Sequence, residues 1–292
     1  MTRTFSNRFR LARSACCLAV ALAASSPARA PDPGQPLRTT QPRRLPPPQK
    51  KGLSAWESDE DTFFTTVATD MGFIYLRPRV TLGYGSPYWK FVGIDSYFLA
   101  TNSFVSPYVG WRASFPFLDA LMGVRQVYPF DRRLLPKQDT YTGDELAIGE
   151  GDTRSTYNAV DFELVLVAPL LHGAAFFTAH PVLVDAPRNM RVFEEVLRVV
   201  MEPPMALGLR GGYVYGIGDE QAVKAGVLIE HVVAPGRPKN TWRAGPVVLI
   251  GLSKYFDFLF AFSPVLSSPD ELGILHGTYA YLGVLHRFSH RF

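Results

Sequence analysis

Charged side chains in this 292-residue sequence recur singly or in pairs within short segments that alternate between apolar and polar residues. Read with a period of two, these segments place eight basic and five acidic side chains on their polar faces. These are Arg77, Arg79, Arg112, Arg125, Arg210, Lys224, Arg243 and Arg287, with Asp95, Asp161, Glu163, Glu230 and Asp257. Such a set could neutralise itself in an internal network, or it could line a passage that favours anions.

Nucleophilic and metal chemistry find no support in the sequence. None of the six histidines lies in a motif with a nucleophile, and no two of them have the spacing of metal ligands. The sequence also contains no phosphate-binding loop. Residues 131–157 are rich in carboxylates, but their spacing fits no calcium motif and predicts a solvated loop. We therefore expect no enzyme, no catalytic residue, no metal and no cofactor.

The first thirty residues have the three parts of a secretory signal peptide. Arginines precede an apolar core at residues 15–24, and small residues with two competing A-x-A cleavage sites follow, at Ala21-Leu22-Ala23 and Ala28-Arg29-Ala30. Cys16 and Cys17 lie inside the apolar core, so both leave with the leader and the mature chain carries no thiol.

The basic charge of the chain belongs to this leader. The formal net charge is +4, but residues 1–30 hold five arginines and no acidic residue, which leaves −1 for the remainder. The mature chain thus lacks the basic excess that nucleic-acid binding requires, and we expect no nucleic-acid partner.

Residues 31–60 are predicted to be a proline-rich, disordered periplasmic linker. Residues 31–51 combine proline with basic residues and offer almost nothing to bury, so they would extend about 60 Å at roughly 3.1 Å per residue. Contact with the cell wall is one hypothesis for this arm, and a passive spacer is the other.

Residues 61–292 are predicted to be an all-β, antiparallel transmembrane β-barrel. In residues 72–84, Leu76, Val80, Leu82 and Tyr84 share one face, while arginine, tyrosine and threonine fill the other. Polar faces of glycine, tyrosine and single charges suit a narrow barrel interior better than the outside of a soluble sandwich. The phenylalanines that alternate through residues 256–262 would be natural against lipid.

About twelve strands are predicted, with ten as the alternative. The segments are 72–84, 89–100, 103–115, 119–129, 156–168, 172–184, 190–202, 205–217, 221–233, 242–254, 256–265 and 277–291. Residues 190–201 also show helical spacing, and a strand at 190–202 would place the long 130–155 loop on the side where turns are short. A helix in an outer loop, with an added strand at 62–69, is therefore left open.

A membrane-spanning helix is the competing interpretation for residues 164–184, which carry no formal charge. Pro169, Gly173 and Pro181 interrupt this run, so we expect two strands joined near residues 169–173.

The chain ends in Phe292, with Phe288, Val284 and Leu282 on the same strand face. In this it resembles the Gram-negative outer-membrane β-barrel class, although His290 stands where an apolar residue is usual and Arg287 where glycine is usual. The resemblance implies an outer-membrane location, contact with outer-membrane lipid, and recognition of Phe292 by the barrel-assembly machinery.

For function we expect a narrow, porin-like channel whose arginine-rich lumen favours small anionic solutes. The alternative is a plugged structural or envelope-binding barrel without transport activity.

Overall fold

The computed structural model describes residues 56, 58, 60–72, 75–147, 155–187, 189–218 and 222–292. The predicted signal peptide and nearly all of the predicted 31–60 linker lie outside these residues. Within the described part, the chain is almost entirely β-structure, and twelve long antiparallel strands close into a barrel.

Sixteen strands, one short α-helix and a single-turn 3-10 helix (Asp144–Leu146) occur in the described residues. They are β1 (Thr62–Gly72), β2 (Tyr75–Ser86), β3 (Lys90–Thr101), β4 (Phe104–Phe115), β5 (Leu118–Pro129), β6 (Leu134–Pro136), β7 (Tyr157–Leu170), β8 (Gly173–Asp185), β9 (Met190–Glu194), β10 (Val199–Met201), β11 (Met205–Ile217), β12 (Val223–Val233), β13 (Thr241–Gly251), β14 (Phe256–Ser263), β15 (Val265–Ser267), α1 (Gly273–Gly277) and β16 (Tyr279–Arg291).

The barrel closes where the first strand meets the last. β1 pairs with β16 from Phe64↔Arg291 to Gly72↔Gly283, and the remaining wall strands follow in the order β2, β3, β4, β5, β7, β8, β11, β12, β13 and β14. A closed antiparallel barrel pairs every wall strand on both sides, which a bilayer demands because lipid offers no hydrogen-bond partner.

The outer surface carries the apolar row that the alternation predicts. On β2, Leu76, Val80, Leu82 and Tyr84 are each between 43% and 55% exposed, while the arginines beside them point inward. The same outward row of aliphatic and aromatic side chains recurs on the other wall strands. The wall therefore presents an apolar belt outside and a polar, aromatic lining inside, as lipid contact requires.

Two strand assignments differ from the sequence prediction. Residues 190–202 form neither a wall strand nor a helix; they fold into the β9–β10 hairpin, which pairs with β6 in a separate three-stranded sheet. The twelfth wall strand is β1, in the position of the open 62–69 alternative. The predicted number of twelve wall strands is therefore correct, but β1 takes the place of the predicted strand 190–202.

This exchange also places the long loops correctly. The start of β1, the end of β16 and the short turns at residues 87–89, 116–117 and 171–172 share one end of the barrel, which we assign as periplasmic. Residues 130–156, 186–204 and 264–278 connect strands at the opposite, extracellular end.

The uncharged run 164–184 forms β7 and β8, as predicted. In the part of the chain that is described, no helix is long and apolar enough to cross a membrane.

Glycine on the inner face makes room for aromatic rings that lie flat against the wall. Gly110 on β4 is directly opposite Gly123 on β5. Tyr108 lies over both and stacks on Tyr97, with ring centroids 4.4 Å apart and planes 9° apart. A Cβ built on Gly110 would come within 2.7 Å of the Gly123 Cα and would also collide with the Tyr108 hydroxyl.

We predict that Gly110→Ala destabilises the folded barrel by about 1–3 kcal/mol, because backbone and Tyr108 must both move to accept the methyl group. The urea midpoint of the heat-modifiable folded form in lipid vesicles measures this loss. Gly211→Ala is the matched control, since its Cβ meets its nearest neighbour, the Phe176 carbonyl oxygen, at an ordinary 3.7 Å. Equal midpoints for the two variants would contradict the role assigned to Gly110.

Candidate functional site

All thirteen charged residues predicted to face the interior lie on the inner face of the barrel. Arg125, Arg287 and Asp95 have fully buried side chains, while Arg77, with 22% of its side chain exposed, is among the more open. The structure does not bring them into one group. They form separate clusters of ion pairs at different heights in the barrel. Several of these clusters also contain charged residues that were not in the predicted set.

The cluster in the periplasmic half joins β2, β3, β4 and β5. Arg112 donates two hydrogen bonds to Asp119, from Nε at 3.1 Å and Nη2 at 3.0 Å. Asp95 lies between Arg79 at 3.4 Å and Arg112 at 3.7 Å, and Thr81 donates to it at 2.6 Å. Each charge here has an opposite charge beside it, so the cluster is internally neutralised.

The periplasmic mouth is filled by aromatic side chains. Arg287 forms an ion pair with Asp257, and its guanidinium lies over the Tyr88 ring at 5.7 Å. Tyr88 is only 5% exposed and donates to the Val67 and Phe288 carbonyl oxygens. Trp56, from the predicted linker, packs against Tyr88 and donates to the Lys254 carbonyl oxygen. The arm is therefore fixed to the barrel at this residue.

A buried carboxylate that the sequence analysis missed organises the middle of the lumen. Asp70 on β1 is 3% exposed and accepts hydrogen bonds from Tyr281 at 2.7 Å and Tyr75 at 2.9 Å. Arg77 completes the group as its ion-pair partner. Asp70 was overlooked because β1 was not among the twelve predicted segments.

The β9–β10 hairpin, which we call the plug hairpin (residues 190–201), enters the extracellular half of the lumen and is anchored by charge. Arg125 on β5 donates from Nε to Asp161 at 2.7 Å and from Nη2 to Glu194 at 2.6 Å. The second Glu194 oxygen accepts the backbone N–H groups of Val196 and Leu197 at 2.9 and 2.8 Å. Glu194 is thus bonded both to the barrel wall and to the backbone of the hairpin's own turn.

A second arginine holds the tip of the plug hairpin from the opposite side. Arg243 on β13 donates to the carbonyl oxygens of Leu197 at 3.0 Å and Arg198 at 2.7 Å, and it pairs with Glu230 at 2.6 Å. Its Nε donates to the Gly277 carbonyl oxygen at 2.6 Å, which fixes the end of α1 to the same point. Two wall arginines therefore bracket the hairpin across the lumen.

Apolar packing closes the space that the charges leave. Inward-facing side chains of the extracellular half pack around the hairpin's Val192, Leu197, Val199 and Met201. In the other half, inward-facing side chains from six adjacent wall strands form a second buried cluster: Val165, Val167, Ala174, Phe176, Val214, Leu228, Val247, Leu259 and Ala261. The interior is thus a packed core over much of its length.

The charge balance of the lumen is closer to neutral than the sequence indicated. Eight basic and five acidic residues were assigned to the interior. Asp70, Asp119 and Glu194 contact Arg77, Arg112 and Arg125, respectively. Carboxylates outside the predicted set therefore neutralise three of the eight basic residues, while the plug hairpin also brings Arg198 to the chamber wall.

An open chamber remains between the plug hairpin and the part of the wall formed by β16, β2 and β3. Its volume is about 680 Å³, and Tyr75, Tyr97, Tyr281, His180 and Arg198 are among the residues that line it. A smaller space of about 110 Å³ continues inward past Arg77 and Glu163 to Arg210 and Thr178. The described residues contain no group of three or more His, Cys, Asp or Glu side chains arranged to hold a metal ion.

These features define the class of protein. The barrel is closed, has twelve antiparallel strands, and carries an apolar belt outside and charged side chains inside. Short turns lie at the end where β1 starts and β16 ends, and long loops lie at the other end. The protein is therefore a Gram-negative outer-membrane β-barrel. The protein accordingly resides in the outer membrane, in contact with its lipid.

Comparison with known proteins adds no narrower family. No family model and no curated protein sequence matches the chain. Among solved structures, the chain is similar to CdiB from Acinetobacter baumannii, with a TM-score of 0.41 and 8% identity over 80% of this chain and 60% of that chain. It is also similar to OmpT, an outer membrane protein of Vibrio cholerae folded in vitro, with a TM-score of 0.33 and 10% identity over 80% of this chain and 99% of that chain.

The plug hairpin should loosen as pH rises. Burial raises the pKa of Glu195 to about 7, although Arg133 lies beside it and opposes the shift. Because this pKa lies above the ordinary carboxyl value, the protonated form favours the seated hairpin, and that contribution is lost as pH rises through about 7. We predict lower hydrogen-exchange protection of the hairpin amides at pH 8 than at pH 6, after correction for intrinsic rates.

Glu195→Gln should remove most of this pH dependence. Glu202→Gln is the matched control on the same loop, because Lys137 lowers the pKa of Glu202 and this carboxylate is already charged at both pH values. Equal protection of the wild-type hairpin at pH 6 and pH 8 would show that Glu195 does not titrate as described.

Proposed function

We propose that this protein is an outer-membrane barrel closed by its own extracellular hairpin, so that it serves as a binding or structural barrel and does not conduct in its resting state. The observation that carries the proposal is the position of Glu194. This residue belongs to the loop between β8 and β11, yet its side chain is fully buried inside the barrel and bonded to Arg125. A carboxylate does not leave water for a low-dielectric interior unless it is paired there.

The cost of withdrawing the hairpin supports closure. Removal of Glu194 from the lumen would leave Arg125 with Asp161 alone and would expose Val192, Leu197, Val199 and Met201 to water. Burial of a single aliphatic side chain contributes about 1.5–3 kcal/mol, so four of them favour the seated hairpin strongly.

A narrow, anion-preferring channel is the second candidate. The inward-facing arginines and the chamber of about 680 Å³ support it, whereas the paired carboxylates and the seated hairpin oppose it. If the barrel does conduct, replacement of Arg77, Arg79 and Arg112 by glutamine should abolish or reverse any anion preference. Unchanged selectivity in that triple variant would eliminate the arginine lining as the cause.

Two further proposals concern the ends of the chain. We infer that Phe292 serves as the assembly signal: its N–H donates to the Phe63 carbonyl oxygen at 3.0 Å at the barrel seam, while its side chain is 75% exposed and available to a receptor. The proline-rich arm would act from the periplasmic side, where Trp56 joins it to the barrel.

Planar-bilayer conductance tests the closed state directly. We predict that the refolded mature chain inserts without steady conductance steps, and that Glu194→Ala produces discrete steps because Arg125 loses its bond to the hairpin. Breaking a buried ion pair by removing one partner costs about 3–5 kcal/mol, so this variant populates the withdrawn hairpin more often, and each withdrawal appears as a transient step.

Glu202→Ala is the matched control, because Glu202 lies on the same loop but in a partly exposed ion pair with Lys137. This variant should stay silent. Steady steps from the wild-type protein, with a reversal potential on the anion side under a salt gradient, would overturn the closed barrel and establish the channel.

A further inference from the structure

Arg198 lies at a backbone position that favours glycine. It is the last residue of the four-residue turn 195–198 between β9 and β10, and its φ is 53°. Residues with a long side chain are uncommon in this left-handed region, which glycine adopts without strain. Backbone strain of this kind clusters at functional sites, so the position of Arg198 directs attention to its side chain.

Two backbone carbonyl oxygens orient the guanidinium group of Arg198. Its Nη1 donates to the carbonyl oxygens of Leu275 and Thr278, at 3.0 Å in each case. Both acceptors belong to the 264–278 loop, so a single nitrogen fixes the group in place. The edge formed by Nε and Nη2 makes no hydrogen bond to any of the described residues.

This Nε/Nη2 edge binds carboxylates elsewhere in the barrel. Arg112 donates from Nε and Nη2 to Asp119, and Arg125 donates from the same two atoms to Asp161. The fork matches the two oxygens of a carboxylate, and such bidentate pairs are stronger than neutral hydrogen bonds. In Arg198 the same fork is oriented, but no carboxylate within the described part of the chain forms an ion pair with it.

The carboxylates and the other arginine of the chamber lining lie close to opposite charges. Glu195, on the same turn as Arg198, forms its ion pair with Arg133, which also has Asp131 at 3.5 Å. Glu163 also borders the smaller inner space, whose lining is rich in arginine. The remaining pairs are Arg77 with Asp70 and Asp161 with Arg125. Arg198 therefore brings one positive charge to the chamber that a single negative charge would match.

Apolar side chains supply much of the rest of the chamber. Leu99, Phe104, Leu121 and Phe193 are among them. The volume of about 680 Å³ lies within the range of small-molecule sites, which combine a mostly apolar lining with a few polar groups. Asn102, exposed on the turn between β3 and β4, also lines the chamber, so this space extends to an extracellular turn.

We propose that the chamber binds a small organic carboxylate with an apolar body, such as an aromatic acid, and that the Nε/Nη2 edge of Arg198 holds the carboxylate group. A dianion such as phosphate exceeds the single charge of Arg198, and an uncharged ligand leaves that charge unmatched. The site rests on the proposed function, because Arg198 reaches the chamber only while the plug hairpin is seated. Bound ligand in turn stabilises the seated hairpin by mass action.

Fluorine NMR of the refolded mature chain in lipid nanodiscs tests the site. The probe is 4-fluorobenzoate, and empty nanodiscs measure its partition into lipid. We expect saturable broadening of the probe signal. Benzoate should reverse this broadening, whereas benzamide and phosphate at the same concentration should not.

Substitution of Arg198 separates its side chain from its backbone. Arg198→Gly suits the left-handed backbone, so the hairpin amides should keep their hydrogen-exchange protection while affinity for the probe falls about tenfold or more. Arg198→Lys keeps the charge but loses the fork, and its affinity should be intermediate. Lys239→Gly is the matched control, because it removes the same charge from an exposed loop position outside the chamber lining and should bind as the wild type does.

A second pair of variants locates the ligand. Arg198 also borders a separate space of about 300 Å³ beside the 264–278 loop. Val196→Trp fills the chamber and should abolish binding. Ile274→Trp, at a residue that lines the other space and not the chamber, should leave binding unchanged.

Equal affinity of the wild type and of Arg198→Gly, equal binding of benzoate and benzamide, or loss of binding in Ile274→Trp but not in Val196→Trp would each overturn the proposal. Conductance separates failure of the site from failure of the closed barrel. A silent protein that does not bind the probe refutes the site alone, and a conducting protein that binds it through Arg198 refutes the closed state alone.

Discussion

The pairing of Glu194 with Arg125 is the interaction on which the interior of this barrel depends. Arg125 already bonds Asp161 across the β5–β7 pair, and Glu194 brings the β8–β11 loop to the same guanidinium. An unpaired charge at this depth would cost several kcal/mol, so Glu194 can occupy the lumen only because Arg125 pairs with it there. The long extracellular loop therefore becomes part of the core.

The same constraint explains the composition of the lumen. Each inward-facing arginine of the wall has a carboxylate beside it. Tyrosines, glycines and apolar side chains occupy many of the other inward positions. A porin-like passage would leave such charges hydrated and separated along a water-filled channel. Here they are paired, and apolar side chains fill the space between the paired clusters over much of the barrel's length. What remains open is a chamber beside the plug hairpin.

Much of the barrel followed from the sequence because alternation is a local property. The order of successive residues is enough to predict the outward apolar rows of β2 and β14 and the inward arginines. It also predicts the division of residues 164–184 into two strands. The strand number was predicted as about twelve from the count of alternating segments, and the requirement for an even count left ten as the alternative.

The plug hairpin could not be predicted in the same way. Its two strands have five and three residues, too few for a period of two to be distinguished from helical spacing. Asp70 and Glu194 were missed because each lies in a segment that was assigned wrongly or left open. Asp119 shares the inward face of Arg125, but it lies one residue inside the start of β5, where strand limits are uncertain from sequence. Long-range pairing, not local pattern, determines these positions.

The seating of the plug hairpin in the lumen is tested most directly by the reactivity of a single cysteine in its tip. The predicted mature chain contains no cysteine, so Leu197→Cys introduces one probe at a position that is 2% exposed inside the barrel. In intact lipid vesicles the account predicts that this thiol resists a water-soluble maleimide, while Leu275→Cys, at an 83% exposed position, reacts rapidly. Reaction of both thiols at the same rate would show that the hairpin lies outside the lumen and would contradict the account.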